Sequence, residues 1–168
     1  MRISCDIRPH FIDGAVEVET PDGSGLTAGP SLVARLQRET SRPLEIRDQA
    51  GANFDDSHVL IVNLASIEVL GREAGMKLDR RRFRANFYVE GLEPEEEVGW
   101  IGRRIRVGDA ELEVTKRDER CLVITHDPDT TVTTPALLRL LGERHDQCMG
   151  VYCHVVRPGQ AAVGDFVG

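Results

Sequence analysis

The chain has 168 residues, with 28 acidic against 21 basic side chains for a net charge of −7, and it is 40% hydrophobic and 29% charged. That size suits one domain, or one domain with a small subdomain, and the acidic balance argues against nucleic acid or an acidic membrane surface as a partner. No apolar run approaches the roughly 20 residues of a membrane span, and the opening "MRISCDIRPHF" lacks the apolar stretch of a secretion signal, so a cytoplasmic location is expected.

Turn signals recur along the chain, at "TPDGSG", "QAG", "GLEP", "VGDA", "DPDT" and "RPGQ". Short runs rich in Val, Ile and Thr lie between them, the rhythm of a β-rich domain with a few helices. In chain order, the first element is a helix over 31–39, "SLVARLQRE", opened by Ser31 and stopped before Pro43. A strand follows at 59–63. A second helix spans 66–74, with Ser66 as N-cap and Gly75 where a left-handed residue belongs. Next, "RFRANFYV" predicts a strand over 82–89, and the acidic "EPEEEVGW" reads as a solvated loop. Strands are expected at 103–107, 110–116 and 121–126. A third helix starts at Pro135 after Thr134 and ends at Gly142, covering 135–141. Strands at 151–156 and 163–167 complete the pattern.

Several pieces could carry chemistry. Alternation along an 82–89 strand sorts Phe83, Ala85, Phe87 and Val89 to one face and Arg82, Arg84, Asn86 and Tyr88 to the other. Two guanidiniums, an amide and a phenol in a row suit either a planar-anion or phosphate reader, or a plain solvent face. Arg80 and Arg81 read as solvated loop charges. In "RDERCLVITHDP" Cys121 follows Arg120, with Arg117 nearby; guanidinium charge favours a thiolate, while Asp118 and Glu119 oppose it. An inert packed cysteine is the alternative. His145, Cys148, Cys153 and His154 resemble a zinc set only at a glance. They contain no Cys-x-x-Cys knuckle, and a 151–156 strand would point Cys153 and His154 to opposite faces. All four cysteines, Cys5 included, are therefore expected as reduced thiols. No glycine-rich phosphate loop precedes a helix, and His10, His58 and His126 read as ordinary residues.

Five stretches in order, "FDDSHVLIVNLASIEVL", "RRFRANFYVEG", "EVGWIGRRIRVGDAELEV", "ERCLVITHDPDT" and "MGVYCHVVRPGQAAVGDFV", together resemble a MOSC domain, named for the C-terminal domain of the molybdenum cofactor sulfurases. The resemblance covers about 54–168 and leaves 1–53 as an N-terminal segment packing on or preceding that domain. It implies a mainly β fold, a closed β-barrel of the pyruvate-kinase barrel-domain type with peripheral helices. It also implies that Cys121 is the functional thiol and molybdenum ligand. Arg84, Asn86, Arg120 and Ser66 would hold the molybdenum cofactor (molybdopterin), with Arg84 and Arg120 on its phosphate. The activities implied are reduction of N-hydroxylated small molecules with electrons from a separate donor protein, or carriage of a persulfide received from a cysteine desulfurase. Two features depart from the family pattern. Ala85 stands where relatives often carry proline, and the lysine and serine that an N-terminal subdomain supplies in relatives have no placed counterpart in 1–53.

Overall fold

A computed structural model describes residues 8–12, 15–19, 23–47, 56–130 and 132–168. The chain divides into two compact units, 1–51 with 128–131, and 52–127 with 132–168. The first unit holds an antiparallel meander of three strands, β1 (Arg8–Ile12), β2 (Ala15–Glu19) and β3 (Gly25–Thr27), none of which the sequence pattern announces. It also holds helix α1 (Pro30–Thr40), one residue longer at each end than expected. Pro30 opens α1, where a missing N–H costs nothing, and Ser41 closes it in a left-handed conformation (φ 53°) with its N–H on the Gln37 carbonyl.

The second unit is built on β4 (Val59–Asn63), a strand whose last four residues are all buried. Leu60 and Val62 pack into a cluster with the helices, while Ile61 packs into a second cluster on the other side of the sheet. Both faces are therefore covered, which is why the sequence reads as a continuous apolar run rather than an alternating one. β4 pairs in parallel with β5 (Phe87–Val89) and antiparallel with β8 (Cys148–Arg157). β8 continues to β7 (Ala110–Glu119) and β7 to β6 (Arg104–Val107), giving the order β5-β4-β8-β7-β6. Three register shifts between β7 and β8 mark bulges that curl the sheet into a half-barrel. A closed barrel was expected. Among the described residues the sheet stays open, with β5 and β6 as its edges.

Helix α2 (Leu64–Glu73) follows β4 directly. Its cap is Asn63, whose side-chain oxygen accepts from Ala65 N–H, and not Ser66, which lies buried within the first turn. Gly75 does take the left-handed conformation, at φ 67°. Helix α3 (Pro135–His145) begins after Thr134 as expected but runs through Gly142 to a left-handed Asp146. Three shorter expectations also change. The 82–89 segment is a 3-10 helix, Arg80–Phe83, followed by the short β5. The 121–126 segment is a second 3-10 helix, Leu122–Thr125. At 163–167 only Val167 bridges, to Val107. The acidic "EPEEEVGW" is not wholly solvated either. It contains the 3-10 helix Glu96–Trp100, and Glu97 is buried with Asn63 Nδ2 donating to its Oε2 at 3.1 Å.

Candidate functional site

The segment 79–86 is shaped by its ends. Asp79 accepts from Arg81 N–H at 2.8 Å and opens the 3-10 turn, its carboxyl held low by the Arg81 side chain against the opposing effect of burial. Arg84 closes the turn in the left-handed region (φ 52°), with its N–H on the Arg81 carbonyl. Two residues later Asn86 straps the segment to β4: its N–H donates to Leu60 O at 3.0 Å, and its Oδ1 accepts from Leu60 N–H at 2.9 Å. The kink at Arg84 breaks the expected alternation. Phe83 is fully buried in the helix-side cluster, whereas Phe87 and Val89 belong to the other.

Arg82 and Arg84 therefore part company. Arg82 is buried and Arg84 is exposed. The Arg82 guanidinium reaches the 3-10 helix after Cys121, donating to the carbonyls of Thr125 at 3.1 Å and Ile124 at 3.4 Å and pairing with Asp127 at 2.8 Å. Arg120 ties the same two segments from the opposite direction. It too is buried, and one terminal nitrogen donates to Phe83 O at 2.7 Å while the other pairs with Asp118. Its guanidinium also lies 5.5 Å from the Phe83 ring centroid, a cation–π contact. Each arginine keeps a buried Nε–H with no protein acceptor. Burial pushes the Asp118 carboxyl up against the pull of Arg120, and burial together with the Asp118 charge pushes the Tyr152 hydroxyl up to about 12.

These links bring the two arginine-containing stretches into one place. A single bond, Arg120 to Phe83, joins the residue before Cys121 to the residue before Arg84. Cys121 is exposed, in extended conformation at the entrance of its 3-10 helix, and not at the start of a strand. Exposed Arg84 and Asn86 stand on the partner segment, and the amide group of Asn86 keeps its donors while its oxygen is anchored. The other two expected site residues sit differently. Both terminal nitrogens of Arg120 are engaged inside the protein, and the buried hydroxyl of Ser66 accepts from Glu95 N–H at 2.8 Å. Arg82, Asp118 and Asp127 were missed as supports. The Asp118-x-Arg120 spacing, which sets both side chains on one face of extended chain, was a usable signal.

The residues of the imagined zinc set are dispersed. His145 lies between two carboxylates, Nδ1 to Glu95 and Nε2 to Glu73, both at 2.8 Å. Cys153 is buried, its thiol pushed up to about 12 by that burial, while His154 on the next position is exposed, so the two do point to opposite faces. Cys148 is half-buried and Cys5 lies outside the described residues. Among the described residues no three His, Cys, Asp or Glu side chains group as a metal cage. Beside α2, a groove of about 830 Å³ with an apolar floor including Ile67, Met76 and Leu78 carries Arg72, Lys77 and Arg80 on its rim. No helix among the described residues is long and apolar enough to cross a membrane.

Residues 33–168 match the family model of the MOSC domain. Among curated proteins, the molybdenum cofactor sulfurase of Caenorhabditis elegans is 34% identical over 134 residues, 76% of this chain and 19% of that protein. Mitochondrial amidoxime-reducing component 1 of Mus musculus is 30% identical over 153 residues, 82% of this chain and 44% of that protein. The chain thus spans less than half the length of these relatives. The crystal structure of YiiM from Geobacillus stearothermophilus superposes with a TM-score of 0.54 at 18% identity, over 67% of this chain and 53% of that one. YiiM from Escherichia coli gives 0.51 at 17% identity, with the same coverage of both chains. At that identity the likeness is one of fold.

Proposed function

The chain belongs to the MOSC domain family, and on that premise we propose that it binds the molybdenum cofactor at the junction of the 79–86 and 120–127 segments, with Cys121 as the ligand to molybdenum. The observation that carries this reading is the Arg120–Phe83 bond, because it joins the residue before an exposed thiol to the residue before an exposed guanidinium, on two segments far apart in sequence. The donor set suits the group. A thiolate is a soft ligand of the kind such a metal takes. Arg84 offers the forked guanidinium that grips a phosphate in two places. Asn86, pinned through its oxygen, presents its amide N–H donors at a fixed angle. Arg120 and Arg82 act here as the frame, since their terminal nitrogens are spent on Asp118, Asp127 and backbone carbonyls.

When bound, the cofactor supplies redox chemistry at the metal, the step that protein side chains alone do not provide. The chain's part is to bind the phosphate through Arg84, orient the ring system through Asn86 and hold the metal through the Cys121 sulfur. The substrate class is a small N-hydroxylated molecule, and the electrons come from a separate donor protein in the cytoplasm. The name and 30% identity of the amidoxime-reducing relative support this class. A second reading takes its support from the exposure of Cys121 and from the sulfurase relatives. In it the Cys121 thiolate attacks the outer sulfur of a persulfide on a cysteine desulfurase, and the desulfurase thiolate leaves.

Protein made in a host that synthesises the cofactor decides between them. The first reading expects close to one molybdenum per chain. The second expects a sulfur atom added to Cys121 after incubation with a desulfurase and cysteine, seen by mass spectrometry. Protein that takes up neither would overturn both.

A further inference from the structure

The peptide that leads into Cys121 is held by one residue from another element. Gln147 accepts from Arg120 N–H through its backbone carbonyl at 2.8 Å, and its side-chain Nε2 donates back to the Arg120 carbonyl at 3.1 Å. The same Nε2 lies 3.3 Å from Glu119 Oε1. Because a peptide unit is planar, the Arg120 carbonyl and the Cys121 N–H move as one body. A hand on that carbonyl sets the plane from which the Cys121 side chain departs.

Gln147 is in turn firmly placed, and in an unusual way. It and Asp146 are consecutive non-glycine residues in the left-handed region, at φ 60° and 54°. Such backbone persists only where its surroundings over-determine it, and it gathers where function needs a particular geometry. The surroundings here are specific. The N–H groups of Asp146 and Gln147 both donate to the Leu141 carbonyl. Arg117 donates to the His145 carbonyl at 3.1 Å and pairs with Asp146 at 3.0 Å. The His145 ring is bracketed by Glu73 from α2 and by Glu95. None of these residues touches an exposed candidate group directly; they converge on the turn, and the turn converges on Arg120.

We propose that Gln147 is the positioning residue of Cys121, setting the direction of its thiol from a strained turn at the end of α3. The role rests on the reading of Cys121 as the working thiol, and the mechanical part of it is measurable without any cofactor. Outer residues that orient a metal ligand typically change metal retention by ~10- to 100-fold when removed, and that is the effect expected on bound molybdenum.

The test uses Gln147→Asn and Gln147→Gly in the full chain. Both suit a left-handed backbone better than glutamine, and neither side chain reaches the Arg120 carbonyl. If Gln147 only shaped the turn, both variants would leave Cys121 as rigid as before. The positioning role instead predicts cooperative folding, with the 15N order parameter of the Cys121 amide falling from the rigid value of about 0.85 to below about 0.6 in both, while amides in β4 stay unchanged. An unchanged Cys121 amide in both variants overturns the proposal. So does a fall in the glycine variant alone, which would assign the effect to backbone freedom. Parent protein that holds no molybdenum and accepts no sulfur counts against the function proposed above, and leaves the order-parameter result to stand or fall by itself.

Discussion

Arg82 and Arg84 sit two positions apart, and the structure gives them opposite work, so a paired substitution tests the site's construction. Arg82→Met removes a buried guanidinium while keeping a long side chain in its place. The loss includes a donor to Thr125 O at 3.1 Å, a weaker one to Ile124 O at 3.4 Å, and the pair with Asp127 at 2.8 Å. A hydrogen bond from a charged group is worth about 1.5–3 kcal/mol, and removing one member of a buried pair costs about 3–5 kcal/mol. Asp127 keeps about a third of its side chain in solvent, which moves the estimate downward. Relief of a buried charge and the packing of the methionine offset another part. A net loss of about 2–4 kcal/mol remains, or about 5–15 °C in melting temperature for a chain of this size. Arg84→Met alters an exposed side chain and should stay within about 0.5 kcal/mol. Urea denaturation with unchanged slopes reads both differences. The reasoning fails if Arg82→Met costs less than about 1 kcal/mol, or if Arg84→Met costs as much as Arg82→Met.

Gly150→Ala should destabilise by at least about 2 kcal/mol, because Gly150 has φ 87° and a Cβ there would stand 2.5 Å from the Ile61 carbonyl of β4; Gly99→Ala, in open space, should be near neutral, and urea midpoints compare the two. His145 should make stability depend on pH. Burial alone would lower its pKa, but the hydrogen bonds and charges of Glu73 and Glu95 outweigh that and raise it above 6.5, with Arg144 also facing Glu73. A raised folded value means its contribution is complete below 6.5 and lost as the pH climbs through that value. Glu73, lowered chiefly by its bond to His145, contributes above 4.5 and loses its share as the pH falls through its own folded value. The melting difference between the parent and His145→Gln should therefore be largest between these limits and shrink toward alkaline pH; a difference that grows as the pH rises would contradict the bracket geometry.

What the sequence made legible follows from where the causes lie. β4 and the start of α3 are set by local signals, a buried apolar run and a proline at the first helical position, and these appear as read, while α1 opens one residue before the expected start, at Pro30. The segment after Asp79 misled because Phe83, Ala85, Phe87 and Val89 alternate like a strand. A left-handed Arg84 divides them between two clusters, and nothing in a period of two records that division. The 121–126 run is β-branched yet leaves Leu122 and Val123 in solvent, because the chain is held there by Arg82 and Arg120 rather than by sheet pairing. Those bonds link residues about 40 apart in sequence, beyond the reach of any window. The family resemblance named Cys121, Arg84 and Asn86 together from the order of both arginine-bearing stretches, but it assigned Arg120 to the cofactor phosphate and did not reach these bonds. Gln147 had no such signal. A glutamine after aspartate is unremarkable until both are found left-handed.

The most direct test pairs the load on Cys121 with the integrity of the fold. Parent and Cys121→Ser chains, made in the same cofactor-producing host, are compared for molybdenum, for persulfide sulfur after incubation with a desulfurase, and for melting temperature. The exchange is nearly isosteric at an exposed position, so the variant should melt within about 1 kcal/mol of the parent. Its serine stays protonated near neutrality and is a harder, poorer ligand, so molybdenum and sulfur should both be lost. A Cys121→Ser chain that melts far below the parent yet keeps its molybdenum or sulfur would show that the cysteine is structural, and would contradict the account.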